Sequence, residues 1–171
     1  ILSIIAYTQS YRSLRIKAWL DPESYPEKAY QLLHSLIALG NGGFTGTGIG
    51  QGTQKLGYVP ESYKDAAFSI LGEELGFIGA FLMLSLFAFL AYRGFAIARS
   101  SSTRFGKYLA VALTSSICLN MIFHVCVCTG LFPTTGQPLP FISFGGTSLV
   151  MTLLSIGILL NISKPNTGQN I

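Results

Sequence analysis

Two runs without a single charge, Leu75–Tyr92 and Tyr108–Thr129, and a third apolar run from Ile142 to Ile162, limit what this chain can fold into. The first two hold 18 and 22 residues. About 20 apolar residues in a helix cross the hydrocarbon layer of a membrane. Only 11% of the residues are charged, against about 25% in soluble domains. The chain therefore reads as an all-α polytopic membrane protein.

The net charge of +4 is not a nucleic-acid signal. The basic residues are scattered or flank apolar runs, where they set topology, and no phosphate-tracking face is formed. Arg93, Arg99, Arg104 and Lys107 surround the first turn between spans, with no acid among them, and Lys164 follows the third span. All seven acidic residues fall between Asp21 and Glu74. The positive-inside rule places the 93–107 turn and the C-terminus in the cytoplasm. The 8–66 loop and the Pro/Gly turn of residues 130–141 then lie outside. The long loop has six Lys/Arg of its own, but long loops obey the rule less strictly.

The chain opens without Met on ILSIIAY, seven residues of an apolar segment. The expected organisation is a truncated membrane-helix tail (1–9), a large outer loop (10–66), and a three-helix region (67–171) with spans near 67–92, 108–129 and 142–162. At the start of the loop, Arg12, Arg15 and Lys17 with Trp19 read as an interfacial helix tail, broken by Asp21-Pro22. Glu27 to Leu39 is apolar at Ala29, Leu32, Leu33, Leu36, Ile37 and Leu39. That spacing predicts an amphipathic helix, too short to span and stopped at Gly40-Asn41-Gly42-Gly43. His34 on it reads as an interfacial polar group.

Gly40 to Gly52 contains seven glycines. No G-x-G-x-x-G register fits and no Gly-Lys-Ser/Thr follows, so neither nucleotide fingerprint is met. Two readings stay open: a loop packed closely on other backbone, or one whose amides approach an anionic ligand. Cys118, Cys126 and Cys128 match no zinc or redox spacing and read as small buried hydrophobes.

Chemistry is concentrated just downstream. Glu61, Asp65, Glu73 and Glu74 lie where the loop becomes the first span. On one continuous helix the first three share a broad face. Acids favour a helix N-terminal turn, which accounts for Glu61 and Asp65. Glu73 and Glu74 lie deeper and are expected to meet neighbouring helices outside this chain. Ionisable groups at membrane depth are functional candidates. A lone carboxylate facing a sugar hydroxyl can act as a general base. Glycoside hydrolysis needs a second carboxyl to protonate the leaving oxygen, but a lipid diphosphate leaves without one. In the second span, Asn120 and His124 sit one turn apart on a shared face, suited to bonding across helices. Ser143, Gly145, Gly146, Thr147 and Ser148 make the outer end of the third span small and polar. That suits close helix approach or a substrate channel.

Four blocks, QLLHSLIALGNGG, IGQGTQKLGYVPESYKDAAFSILGEELGFIGA, TGLFPTTGQPLPFISFGGTSLV and LLSIGILLNISK, closely resemble the last part of the SEDS (shape, elongation, division and sporulation) proteins. They cover nearly everything after Asp21, in the family's order and spacing. The uninterrupted GIGQGTQKLGYVPE is more similar to the division branch than to the elongation branch.

The resemblance implies a C-terminal fragment of a ten-helix bundle, with three complete transmembrane helices and a large extracytoplasmic loop, in the bacterial inner membrane. It implies a peptidoglycan glycosyltransferase that polymerises lipid II in septal wall synthesis, releasing undecaprenyl diphosphate, with a class B penicillin-binding transpeptidase and other divisome membrane proteins as partners. Pro60, Glu61 and Asp65 match the family's Pro-Glu-x-x-x-Asp pattern, which makes Asp65 the catalytic candidate. Tyr63-Lys64 stand where the family usually has His-Thr, and Phe144 where Tyr is usual. Lys64 beside Asp65 would favour the charged carboxylate. Lys55, Glu61, Glu73 and Ser143 are the substrate-binding candidates, Lys55 for a diphosphate and the two glutamates for positioning Asp65 or its water. A divalent cation, magnesium or manganese, is a candidate cofactor, with no ligand set legible. A transporter (flippase) of lipid-linked precursor and a non-catalytic divisome scaffold are the alternative functions. The 171 residues alone are expected to be inactive, because earlier helices supply much of the family's cavity.

Overall fold

Helices form where the charge-free runs predict them, and their ends are set by local chemistry. The structure, a computed structural model, describes residues 13–52, 66–143 and 145–164. Its helices are α1 (13–20), α2 (Pro26–Gly42), α3 (Ala67–Ser100), α4 (Arg104–Cys128) and α5 (Gly146–Ile162), with no strand among the described residues. Two of them, α3 and α4, are long and apolar enough to cross a membrane. The 17 residues of α5 reach about 25 Å at roughly 1.5 Å per residue, the short end of a span.

Boundaries differ from the sequence expectations in three places. The basic turn expected over 93–107 is only three residues, 101–103, because α3 runs on to Ser100 and carries Arg93 and Arg99 on its last turns. Arg99 suits the negative end of the helix dipole, and Thr103 caps α4 by accepting from the Gly106 N–H at 3.1 Å. The third span starts at Gly146, not Ile142, because the Ile142 and Ser143 amides turn back to the Leu139 carbonyl. Pro26 opens α2 at a position where its missing N–H costs nothing. That helix runs past the expected Leu39 and ends at Gly42, within the glycine stretch expected to stop it.

Only part of the apolar stripe of α2 is buried. Ala29, Leu32, Ser35 and Ala38 are buried, whereas Leu33, Leu36 and Ile37 stay exposed. Small residues on this face, Ala29, Ser35, Ala38 and Gly42, let the two backbones approach closely. Here that face meets α3. A Cβ on Gly42 would strike the Gly72 carbonyl oxygen, and one on Gly72 would meet Leu39 Cδ2 at 2.5 Å.

α3 and α4 form an antiparallel hairpin. At one end Ala98 and Ala110 pack with Leu159 of α5. At the other, Ala67, Phe68, Met83 and Phe87 of α3 pack with Ile117 and Cys128 of α4 and with Leu139. The start of α3, the end of α4 and the start of α5 therefore gather at one end of the bundle. The three cysteines are free thiols, and Cys128 is buried in this core.

Candidate active site

The site is built where α3 begins. Ala66, Ala67 and Phe68 are buried, and Asp65 is covalently joined to Ala66. The first amides of a helix have no acceptor inside it, and Ala66 supplies no side-chain cap. The Phe68 N–H instead donates to His124 Nε2 at 3.4 Å. The other ring nitrogen, Nδ1, lies 2.8 Å from the Gln137 carbonyl oxygen. An imidazole with its proton on Nδ1 satisfies both partners. His124 thus bonds across elements, as its placement predicted. Asn120 does not share its environment and is exposed. The buried stripe of α4 runs through Ala110, Thr114, Ile117, His124 and Cys128, and Asn120 falls beside it.

Two turns further on, α3 breaks at Gly76, whose φ of 66° is left-handed. A regular helix would bond the Phe77 amide to the Glu73 carbonyl and the Ile78 amide to that of Glu74. The glycine-rich loop takes all four groups. The Phe77 and Ile78 amides donate to the Gly43 and Phe44 carbonyls at 2.9 and 3.3 Å. The Thr47 and Gly48 amides donate to the Glu73 and Glu74 carbonyls at 2.9 and 3.0 Å. The Thr47 hydroxyl adds a third bond to the Glu73 carbonyl, 3.1 Å. The loop is inserted into the helix with no loss of backbone pairing, which irregular backbone at membrane depth requires.

Over residues 46–48 the glycine stretch follows the close-packing reading. Its amides at 46–48 serve other backbone: the Gly46 amide goes to the Gly42 carbonyl at 2.7 Å, and the next two to α3. Glycine is needed at the crossing because a Cβ on Gly46 would strike the Glu74 carbonyl, and one on Gly76 the Gly46 nitrogen.

Glu73 is fully buried. It was expected to meet helices outside this chain, but its carboxylate faces the loop instead: a Cβ on Gly52 would lie 2.9 Å from Glu73 Oε2. The helix break turns this residue toward the loop. Ser143 is buried too. Its hydroxyl accepts from the Leu139 N–H at 2.7 Å, while its own amide donates to the Leu139 carbonyl at 3.1 Å. Within this closed turn Phe141 holds a φ of 67°, a strained conformation that clusters at functional sites. Among the described residues, a Cβ added to Gly146 would meet nothing within 4 Å.

A cavity of about 300 Å³ opens beside these turns, lined by Ile49, Ala67, Leu71 and Ile142, with Glu74 as its charged group. A larger cavity, about 520 Å³, lies at the opposite end of α3 among Tyr92, Phe95 and Arg99. It holds no carboxylate to serve as a base. Lys55, Glu61 and Asp65 lie outside the described residues, as do Tyr63 and Lys64. Among the described residues no group of three or more His, Cys, Asp and Glu side chains could hold a metal ion.

Two residues read as interfacial anchors have a different task. Trp19 Nε1 donates to the Gly130 carbonyl at 2.7 Å, and Arg15 Nη1 to the Thr134 carbonyl at 2.9 Å. They bind the segment after α4 to α1. Bonds to main-chain carbonyls more than a hundred residues away leave no sequence signal.

Comparison with known proteins agrees with this architecture. A probable peptidoglycan glycosyltransferase FtsW of Geobacter sp. (strain M18) is 44% identical over 165 residues, covering 96% of this chain and 45% of the relative. Stage V sporulation protein E of Bacillus subtilis (strain 168) is 44% identical over 155 residues, covering 90% and 42%. The chain thus spans a little under half the length of these relatives. A chain from a solved peptidoglycan synthase complex, described as structurally coordinating polymerization and crosslinking, superposes with a TM-score of 0.68 at 26% identity. That match covers 99% of this chain and 48% of the other. The family model for FtsW, RodA and SpoVE, described as cell cycle proteins, matches residues 1–168. This all-helical membrane chain belongs to the FtsW/RodA/SpoVE family.

Proposed function

We propose that the full-length protein is a peptidoglycan glycosyltransferase that polymerises lipid II during septal wall synthesis, with Asp65 as its general base. The observation that carries this reading is the buried start of α3, where Ala66 to Phe68 are buried and the Phe68 amide is bonded to His124, directly after the Pro-Glu-x-x-x-Asp pattern in the sequence. The names of the relatives support the same reaction.

In this mechanism Asp65 takes the proton from a hydroxyl of the acceptor sugar. The freed oxygen attacks the anomeric carbon of the donor from the opposite face. The bond to the diphosphate breaks, its electron pair leaves with undecaprenyl diphosphate, and the configuration inverts. The leaving group is already anionic and needs charge compensation rather than a proton, a role for Lys55. Glu61 positions Asp65 or its water. Glu73, packed against Gly52, supports the loop that leads to Lys55. Ser143 holds the turn that carries Ile142, a lining residue of the cavity of about 300 Å³.

The protein sits in the bacterial inner membrane with the 101–103 turn and C-terminus in the cytoplasm. Residues 10–66 form the extracytoplasmic loop that leads into three spans. A class B penicillin-binding transpeptidase and other divisome membrane proteins are its partners, in line with the solved synthase complex. Asp65→Asn in the full-length protein tests the assignment: it abolishes glycan polymerisation from purified lipid II while membrane insertion is retained. Wild-type polymer from that variant overturns it. Headgroup flipping in liposomes without polymer formation would point to a transporter.

A further inference from the structure

We infer that the cavity at the end of α3 away from the candidate active site binds the headgroup of an anionic phospholipid, with Arg99 holding the phosphate. The cavity is about 520 Å³ and is lined by Tyr92, Phe95, Ala96, Arg99 and Ser100. These positions recur at spacings of three and four residues, so they form one stripe on α3. Gly94 and Ala98, which pack on Thr114 and Ala110 of α4, lie on the opposite face. The stripe therefore looks away from the α3–α4 seam. Its depth in the membrane follows from the charge-free run Leu75–Tyr92, whose 18 residues reach about 27 Å at roughly 1.5 Å per residue. That length nearly fills a hydrocarbon layer of about 30 Å. Tyr92 then stands at the edge of the hydrocarbon, where an aromatic ring with a polar tip is favoured. Phe95 to Ser100 lie among the headgroups.

Charge selects the occupant. Arg99 is exposed on the cavity wall, and Arg104, Lys107 and Lys164 stand at the same end of the bundle. The helix ends meet there: Ala98, Ala110 and Leu159 pack together, and a Cβ on Gly106 would lie 3.5 Å from Ile162 Cγ2. Among the described residues no carboxylate lines the cavity, and no Asp or Glu follows Glu74 in the sequence. A guanidinium binds a phosphate through two parallel N–H···O bonds. The Ser100 hydroxyl donates to the Ile97 carbonyl at 3.1 Å, which leaves its oxygen to accept from a headgroup hydroxyl. Phosphatidylglycerol supplies both a phosphate and hydroxyls. A headgroup ending in an ammonium would bring a cation to a cationic surface. Ala96, the smallest side chain of the stripe, leaves the hollow open. An excess of Lys/Arg is enough to orient a hairpin; it does not call for an arginine on the wall of an aromatic cavity.

The test uses the full-length protein in detergent, titrated with phosphatidylglycerol or phosphatidylethanolamine and read by native mass spectrometry. Wild type is expected to bind phosphatidylglycerol the more tightly. Arg99→Gln should weaken that lipid roughly fivefold, the share of one basic residue beside an anionic headgroup, and leave phosphatidylethanolamine unchanged. Lys164→Gln removes the same charge outside the cavity and should cost clearly less. Ala96→Leu keeps every charge and fills the hollow. It is expected to lose phosphatidylglycerol as Arg99→Gln does, and it decides the matter if the arginine variant does not fold. Equal loss in Arg99→Gln and Lys164→Gln overturns the site, because affinity would then follow net charge alone. So does wild-type affinity in Arg99→Gln or Ala96→Leu. Equal binding of the two lipids by wild type overturns it as well, the result expected where other parts of the full chain fill the cavity. Inorganic phosphate at the lipid's concentration should not compete. Displacement of the lipid by phosphate would overturn the lipid assignment in favour of a soluble anion.

Discussion

Gly76 shows how much a single residue can demand of its surroundings. Its φ of 66° lies where an L side chain is strained by about 1–3 kcal/mol. A Cβ there would also sit 2.7 Å from the Phe44 carbonyl oxygen, inside the loop that completes the helix. Gly76→Ala is expected to lower the thermal midpoint of the full-length protein in detergent by several degrees, and to reduce its yield. Gly40→Ala is the matched comparison. Gly40 lies inside α2, and a Cβ there meets nothing within 4 Å. Alanine is the better helix former by about 1 kcal/mol, so this midpoint should hold or rise. Equal effects at the two positions would contradict the inserted-loop arrangement. The sequence shows the four glycines of the crossing as two pairs four residues apart, Gly42/Gly46 and Gly72/Gly76. It does not show that the pairs meet, because the bonds joining them run between main-chain groups common to every residue.

Between elements, the α3–α4 seam is made by what is missing from one side. A Cβ on Gly94 would strike the Thr114 hydroxyl oxygen, and Ala98 and Ala110 continue the close contact. The Thr114 hydroxyl is buried with no hydrogen-bond partner among the described residues. An unpaired buried polar group costs about 1–3 kcal/mol, so Thr114→Val, which keeps the shape, should leave the thermal midpoint unchanged or raise it. Gly94→Leu should lower it, since overpacking typically costs about 1–3 kcal/mol. A drop in the Val variant comparable to that in the Leu variant would show that the hydroxyl has a partner. The charge-free runs make α3 and α4 legible in the amino-acid sequence, because length and charge suffice to define a span. The packed face of α2 is not legible in the same way. The apolar spacing points to Ala29, Leu32, Leu33, Leu36, Ile37 and Leu39, yet only Ala29 and Leu32 of these are buried, because contact with α3 selects one edge of that broad stripe.

For the molecule as a whole, the placement of charge and the placement of chemistry agree. Glu73, Glu74, His124 and Ser143 all lie at the end where α3 starts and α4 ends. Arg99, Arg104 and Lys107 lie at the other, around the 101–103 turn. An excess of Lys/Arg marks the cytoplasmic side, so the proposed topology has the candidate site on the outer side. Two exposed positions test this without disturbing a described contact: Ser102 in the turn and Thr135 in the Pro/Gly segment. With a membrane-impermeant maleimide and the wild type as the blank for the three native cysteines, Thr135→Cys should label in intact spheroplasts. Ser102→Cys should label only after the membrane is permeabilised. The pair matters more than either result alone, because the α3–α4 hairpin fixes the two positions at opposite ends. Labelling of Ser102→Cys in intact spheroplasts, with Thr135→Cys protected, would turn the hairpin over and place Asp65 in the cytoplasm. Extracytoplasmic polymerisation would then be ruled out for this chain whatever its resemblance.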